Sequence, residues 1–301
     1  ISLTDVGHLD FINQISLALI AFIAAAELEM KLLKKRVKTI VIIMTCLVLF
    51  TFTLVTVVMF PLSAYLPGLR QYDAGERLAV SLLFAVVMVA RSPSSAVAII
   101  GELNAHGPFT STVLSITMVM DVVVIILFAL VMSCVSSIVA GSFDPAVLIS
   151  IPLDMILAVV MGIGLAKVLE LIFRIRTEGR KRRIWLEYTQ MGLVMGVGVG
   201  IYNLADLIQW ATHSWELVHI RLEPLLICMI ASFVLCNFMD FQAGLHFAHR
   251  CKRMGPPIYV LFFTLVGASL DYTVIATTWP VMIILLVLRT VGIMCGSAFG
   301  A

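Results

Sequence analysis

Apolar stretches long enough to cross a lipid bilayer recur along the whole 301-residue chain, and they restrict the fold more than any other feature. Hydrophobic residues make up 61% of the sequence and charged residues 13%, and the mean hydropathy is +1.09. Only structures that satisfy their backbone hydrogen bonds internally are stable in hydrocarbon, and an α-helix does so within one segment. The sequence therefore predicts an all-α, polytopic membrane protein without a separate soluble domain.

Nine candidate membrane helices follow from a crossing length of about 20 apolar residues. They lie at approximately 11–30, 39–61, 77–101, 109–138, 147–173, 185–206, 222–240, 256–271 and 276–300. Residues 1–301 are expected to form a single transmembrane domain. Because the chain opens without a methionine and stops as its last span is completed, we expect it to be incomplete at both ends.

The basic residues are concentrated in three of the predicted connections, at 31–38, 174–183 and 250–253. These connections hold fourteen of the twenty Lys and Arg residues. Nine spans place all three on one face, which the excess of positive charge marks as cytoplasmic. The first helix is then expected to enter the membrane from the outside.

Neither the cysteines nor the glycines indicate a cofactor. The six cysteines are scattered and form no CxxC pair, so no disulfide framework or zinc site is predicted. The glycine run MGLVMGVGVG, with glycines at 192, 196, 198 and 200, lacks the strand and helix context of a nucleotide-binding loop. We interpret it as close helix packing. A net charge of +2 gives no reason to expect a nucleic-acid partner.

Asp121 lies near the middle of the apolar run SITMVMDVVVIILFALVM. A charged side chain at the bilayer centre costs about 2.5–3.5 kcal/mol on insertion scales, and such residues usually face an ion path, a water-filled cavity or a partner charge. Asp121 is therefore a candidate ion-binding residue. The alternative is a carboxyl group that is hydrogen-bonded inside the bundle and has no part in transport.

The third predicted helix is interrupted in AVVMVARSPSSAVAIIGEL, where Arg91, Ser92, Pro93, Ser94 and Ser95 follow one another. Proline removes a backbone donor and clashes with the preceding turn, while serine hydroxyls supply replacement hydrogen bonds or ion ligands. These residues predict a discontinuous helix near 91–95. A proline kink held by neighbouring helices is the alternative, but a cation beside the break requires a carboxylate or water nearby.

Two further charges lie in or near predicted spans. Arg289 is too deep in the last helix for its side chain to reach the interface, so a carboxylate is expected to hold it. Asp121 is the leading partner, followed by Glu27 and by a backbone carbonyl. Glu27 has an equal alternative as an interfacial residue paired with Lys31 or Lys34.

Five fragments carry a resemblance to a known family, namely AAAELEMKLL, ARSPSSAVAII, MVMDVVVIILFAL, PIYVLFFTLVGASLD and LRTVGI. In this order and spacing they resemble the monovalent cation:proton antiporter superfamily. That superfamily includes bacterial sodium/proton antiporters, Kef-type potassium efflux proteins, and the animal and plant sodium/proton exchangers. The resemblance covers nearly the whole chain and implies an antiporter-like helix bundle.

The resemblance implies that Na+ or K+ is exchanged for H+ by alternating access, in a homodimer embedded in the lipid bilayer, with a role in pH homeostasis. It also implies residue roles. Asp121 would bind the monovalent cation or the proton, the broken helix would contribute further ligands, and three residues would compensate charge. The ligands are Ser92, Ser94 and Ser95 beside the break at Pro93, and the compensating residues are Arg289, Arg91 and Glu27.

Three departures from the family pattern affect these expectations. Met120 precedes Asp121 where electrogenic members carry a second aspartate, so we expect electroneutral exchange of one cation for one proton. Arg91 stands where many members carry threonine. The second broken helix of the family is not reached before residue 301. A cation-binding channel-like or sensory membrane protein is the alternative function, whereas intramembrane aspartyl proteolysis would need two facing aspartates.

Overall fold

A computed structural model describes residues 10–26, 28, 30–66, 69–140, 145–175, 180–212, 222–270 and 272–301. Ten α-helices and no β-strand are present in these ranges, which confirms the all-α prediction. The helices are α1 (Asp10–Ala26), α2 (Met30–Ser63), α3 (Ala74–Val89), α4 (Pro93–Glu102), α5 (Pro108–Ala140), α6 (Pro145–Arg174), α7 (Arg180–Thr212), α8 (Pro224–Phe238), α9 (Phe241–Ala268) and α10 (Tyr272–Gly300).

Five helices in the described ranges contain segments that are long and apolar enough to span a bilayer by themselves. Helices α1 and α8 contain shorter apolar segments. The segments of membrane length are Arg36–Ser63, Pro108–Met132, Pro152–Arg174, Trp185–Thr212 and Thr278–Gly300. The protein is therefore an integral, multi-pass membrane protein, while the sidedness of its connections stays a prediction.

The predicted discontinuity is present. Helix α3 ends at Val89, and α4 begins at Pro93. Between them Ala90 has an extended backbone, with φ −56° and ψ 139°. Pro93 disfavours a helical backbone at the residue before it, which is Ser92, and brings no amide hydrogen to the new helix, which explains a fresh start at Pro93.

Two predicted connections were wrong. The segment 31–38 lies within α2 (Met30–Ser63), and 250–253 lies within α9, which runs without interruption from Phe241 to Ala268. The Asp240 side chain caps its start by accepting a hydrogen bond from the Gln242 amide. In the first half of α9 the buried residues recur at helical spacing, and the basic residues lie on the other sides of the helix. Such an amphipathic helix is too polar on average to be recognised as a span. The buried residues there are Ala243, Gly244, Phe247 and Cys251.

Contacts divide the described residues into two compact units. Unit 1 comprises the described parts of 1–33, 93–114 and 152–270. In unit 1, α1 packs against α4, α7, α8 and α9. The single transport domain stays a prediction.

The core of unit 1 is built on three buried phenylalanines. The ring of Phe247 meets the rings of Phe22 and Phe173 edge to face, at centroid distances of 5.7 Å and 5.3 Å. Nearby, the buried Ser232 hydroxyl donates to the Phe22 carbonyl at 2.7 Å. Polar bonds of this kind join helices in lipid, where apolar surfaces gain little from contact with one another.

Asn237 secures the connection between α1 and α2. Its side-chain amide donates to the Leu28 carbonyl at 2.9 Å, and its side-chain oxygen accepts from the Met30 amide at 2.8 Å. Both backbone groups lie at helix ends, where no partner is available within the helix. One residue of α8 therefore satisfies both sides of this connection.

Unit 2 comprises the described parts of 34–92, 115–151 and 271–301. It contains all of α3 and α10 and most of α2 and α5. Its core joins Val55 and Met59 of α2 to Ala85 of α3 and Leu285 of α10. Phe50 of α2 also stacks on Phe299 of α10, with a centroid distance of 4.9 Å.

The glycines of the run 192–200 differ in whether they lie against a neighbouring helix. In the run 192–200, Gly198 lies against another helix, where an added Cβ would be 2.8 Å from the Ala18 Cβ. An added Cβ at Gly192, Gly196 or Gly200 would meet no atom of the described structure within 4 Å. The packing interpretation therefore holds for Gly198 and stays a prediction for the other three.

Candidate ion-binding site

Asp121 lies well inside the membrane-length segment Pro108–Met132 of α5, which runs through unit 2 from Ser115 onward. The residue is partly exposed, whereas the preceding Met120 is completely buried. Successive residues on a helix point about 100° apart, so the two side chains face different surroundings. The carboxylate is therefore the more accessible of the two groups.

A buried hydroxyl lies one helical turn before this carboxylate. Thr117 is 5% exposed and precedes Asp121 by four residues, so the two side chains project from the same face of α5. Ser115, in the same turn, is 4% exposed. Thr117 was not among the predicted site residues, although a hydroxyl four residues before the carboxylate of an apolar helix is visible in the sequence.

Arg289 of α10 is held at the break in the third span. Its Nη2 donates a hydrogen bond to the Ala90 carbonyl at 2.7 Å. Helix α3 ends at Val89, so the Ala90 carbonyl has no donor within that helix. A charged donor at this distance makes a strong hydrogen bond to an otherwise costly group.

This partner was the third choice for Arg289, after Asp121 and Glu27. The hydrogen bond joins residues 199 positions apart in the chain, and both belong to unit 2. Arg289 therefore stabilises the C-terminal end of α3 by binding the carbonyl that follows it. Its positive charge lies in the unit that contains Asp121.

Arg91 brings a second guanidinium to the break. It is half-buried, and its charge interacts with the like charge of Arg289. Like charges in a partly dehydrated region favour an anion or water nearby. The role of Arg91 in charge compensation stays a prediction.

The remaining predicted site residues are placed only in part. Ser92 is exposed at the break, and Ser95 is half-buried on α4. The backbones of Pro93 and Ser94 begin α4, but their side chains lie outside the described part of the structure, as does the whole of Glu27. Ser95 belongs to unit 1 and Asp121 to unit 2, so their joint coordination of an ion stays a prediction.

The described residues contain no group of three or more His, Cys, Asp or Glu side chains arranged to hold a metal ion. Asp121 supplies a carboxylate to this face of α5, and Thr117 supplies a hydroxyl. Oxygen ligands of this kind suit hard cations.

Comparison with known proteins identifies the family. The family model described as "Sodium/hydrogen exchanger, transmembrane" matches residues 4–211. The chain belongs to this family. Its members are transporters rather than a class of enzyme. No curated protein sequence matches the chain.

A solved structure extends the likeness beyond the matched region. The sodium/proton antiporter MjNhaP1 from Methanocaldococcus jannaschii, determined at pH 8, superimposes with a TM-score of 0.66. The alignment covers 98% of this chain and 67% of that chain, at 17% sequence identity. At this identity the likeness shows a shared fold, and it confirms the expected antiporter-like bundle.

Proposed function

We propose that the protein exchanges Na+ or K+ for H+ across a membrane, with the two ions competing for Asp121. The observation that supports this most is a partly exposed carboxylate well inside an apolar helix of membrane length. Membership of the sodium/hydrogen exchanger family supports sodium and protons as the transported ions. Potassium remains an alternative, because hydroxyls, carbonyls and a carboxylate serve both cations.

Competition follows from the chemistry of a single carboxyl group. Loss of water favours the protonated form of such a group, whereas a nearby positive charge favours the ionised form. A carboxyl group under both influences can hold a proton or a cation, but not both. Release of one ion then allows the other to bind, and this coupling defines exchange.

Alternating access requires two bodies that rock against each other while the ion stays bound. Exchange by a member of the sodium/hydrogen exchanger family calls for such a movement, and we propose it for this chain. Asp121, Arg91 and Arg289 all belong to unit 2. We therefore propose that unit 2 carries the ion.

We also propose that one cation is exchanged for one proton without net charge movement. Met120 is buried and has no group that titrates, so it adds no second proton to the cycle. Electroneutral exchange predicts that a membrane potential imposed on proteoliposomes does not change the rate. A rate that follows the potential would contradict the stoichiometry but not the role of Asp121.

The central test is Asp121→Asn in proteoliposomes that contain a pH-sensitive dye. Asparagine keeps the size and much of the hydrogen bonding of the side chain but removes the titrating charge. We expect cation-dependent proton movement to fall to the level of empty liposomes, while the purified protein still elutes as one symmetric peak in gel filtration.

Asp206→Asn is the matched control, because Asp206 is an exposed carboxylate on α7 in unit 1. It should exchange ions at close to the wild-type rate. Near-normal exchange by Asp121→Asn, or equal loss in both variants, would refute the assignment of Asp121. Retained cation binding without any exchange in the wild-type protein would instead favour the channel-like or sensory alternative.

A further inference from the structure

A cavity of about 930 Å³ lies within unit 1, between the end of α6, the first half of α7 and the middle of α9. None of the predicted ion-site residues lines it. Its volume falls near the upper end of the range for small-molecule sites. The transport chemistry proposed above does not use it.

One wall of the cavity is basic and is formed by α9. His246, His249, Arg250 and Arg253 recur at intervals of three, one and three residues, so they project from one face of the helix. The Arg250 guanidinium lies over the ring of the buried Phe173, at 5.5 Å from its centroid. This contact orients Arg250 at the cavity.

A second part of the lining, the methionine wall, is apolar and adaptable. It consists of Met191 and Met195 of α7, Met254 of α9, and Phe173. Flexible thioether side chains adjust to ligands of different shape. Gly192 adds space, since its missing side chain leaves the cavity open at a point where no described atom lies within 4 Å.

The charge of the lining selects the sign of a ligand. Arg250 and Arg253 contribute two positive charges, Glu187 contributes one negative charge, and protonation of either histidine adds to the positive side. Arginine forks match the oxygens of a phosphate group. A single inorganic phosphate would leave most of the volume and the whole apolar wall without a partner.

We propose that this cavity binds a phosphate-bearing amphiphile, with the phosphate on Arg250 and Arg253 and the apolar part on the methionine wall. The shared chemistry fits an anionic lipid headgroup with the upper part of its chains, or a soluble nucleoside phosphate. The cavity adjoins Ile175, next to the basic α6–α7 connection that is predicted to be cytoplasmic. The ligand is therefore expected to enter from that side.

Binding to the purified full chain in detergent tests the proposal by native mass spectrometry. The probes are dioctanoyl phosphatidic acid, dioctanoylglycerol as its phosphate-free counterpart, adenosine monophosphate and inorganic phosphate. Binding of phosphatidic acid alone identifies a lipid site, and binding of adenosine monophosphate alone identifies a soluble ligand. Binding of dioctanoylglycerol as tightly as phosphatidic acid, of inorganic phosphate alone, or of none of the four would overturn the proposal.

Variants then locate the site. Arg253→Gln should weaken binding about tenfold, as expected for loss of one charged hydrogen bond. Lys252→Gln removes the same charge from an exposed residue of α9 that does not line the cavity, and it should stay close to wild type. Equal weakening by both variants would show general attraction to the basic surface and would refute a specific site.

Gly192→Leu tests the apolar half without touching a charge. The open space around Gly192 accepts a side chain, so the variant should fold while it fills part of the cavity. We expect binding of the amphiphile to be lost. Binding at the wild-type level by this variant would contradict the assigned cavity, even if an arginine variant failed to fold.

Discussion

Replacement of Gly296 by alanine should separate two helices that form the core of unit 2. Gly292, Gly296 and Gly300 of α10 lie four residues apart and face the backbone of α2. A Cβ atom added at Gly296 would lie 2.7 Å from the Leu47 Cα and 3.0 Å from the Cys46 carbonyl oxygen. These are backbone atoms, so a change of side-chain rotamer cannot relieve the overlap.

The cost can be estimated from this geometry. Ordinary contact begins at 3.4 Å, so the helices must move apart by about 0.7 Å at this point. Overpacking of this kind costs about 1–3 kcal/mol. Alanine favours the helix over glycine by about 1 kcal/mol, which offsets part of the cost. The net effect of Gly296→Ala is therefore a destabilisation of about 0–2 kcal/mol.

Gly164→Ala is the matched control, because Gly164 lies inside α6 and its added Cβ would meet no described atom within 4 Å. This variant should gain up to about 1 kcal/mol from helix propensity alone. The two variants should then differ in melting temperature by roughly 2–10 °C in detergent, with Gly296→Ala lower. Equal melting temperatures, or the reverse order, would refute the close approach of α2 and α10.

Two further substitutions test hydrogen bonds between distant segments by thermal unfolding. In Arg289→Gln the glutamine side chain is too short to reach the Ala90 carbonyl, so the variant should lower stability by about 1–3 kcal/mol. Arg289→Lys keeps a charged donor and should lose less stability. An equal loss in both variants would contradict the role of this hydrogen bond. Asn237→Ala should cost about 1–3 kcal/mol through the α1–α2 connection. Asn203→Ala is its control, because the Asn203 side chain donates to the Val199 carbonyl of its own helix. Equal melting of the two variants would count against the bridging role.

The broken span was predictable because its cause is local. Pro93 brings no amide hydrogen and disfavours a helical backbone at the residue before it, so sequence alone indicates where α3 must stop. The depth of Arg289 was also visible as a charge inside an apolar run. Its partner was not visible, since the Ala90 carbonyl becomes available only when the broken helix and α10 lie side by side.

Helix α9 shows where hydropathy misleads. A search for 20 apolar residues finds only its second half and treats Arg250 to Arg253 as a connection. The first half is instead helical because Phe247 and Cys251 recur on a buried face. Glycine spacing is limited as a predictor of helix packing for a similar reason. Spacing identifies small residues that share a face, but only the fold decides that Gly296 meets a neighbouring backbone and Gly196 does not.

The hydrogen bond from Arg289 to the Ala90 carbonyl affects which residue can precede Asp121. Members of the superfamily with paired aspartates can offer the first of the pair to the central basic residue. Here the backbone carbonyl at the break accepts that hydrogen bond at 2.7 Å, so no second carboxylate is needed to hold the arginine. Met120 is completely buried, where an unpaired carboxylate would be costly. A chain that satisfies its arginine through the broken helix can therefore keep a methionine at this position, which agrees with the proposed one-to-one exchange.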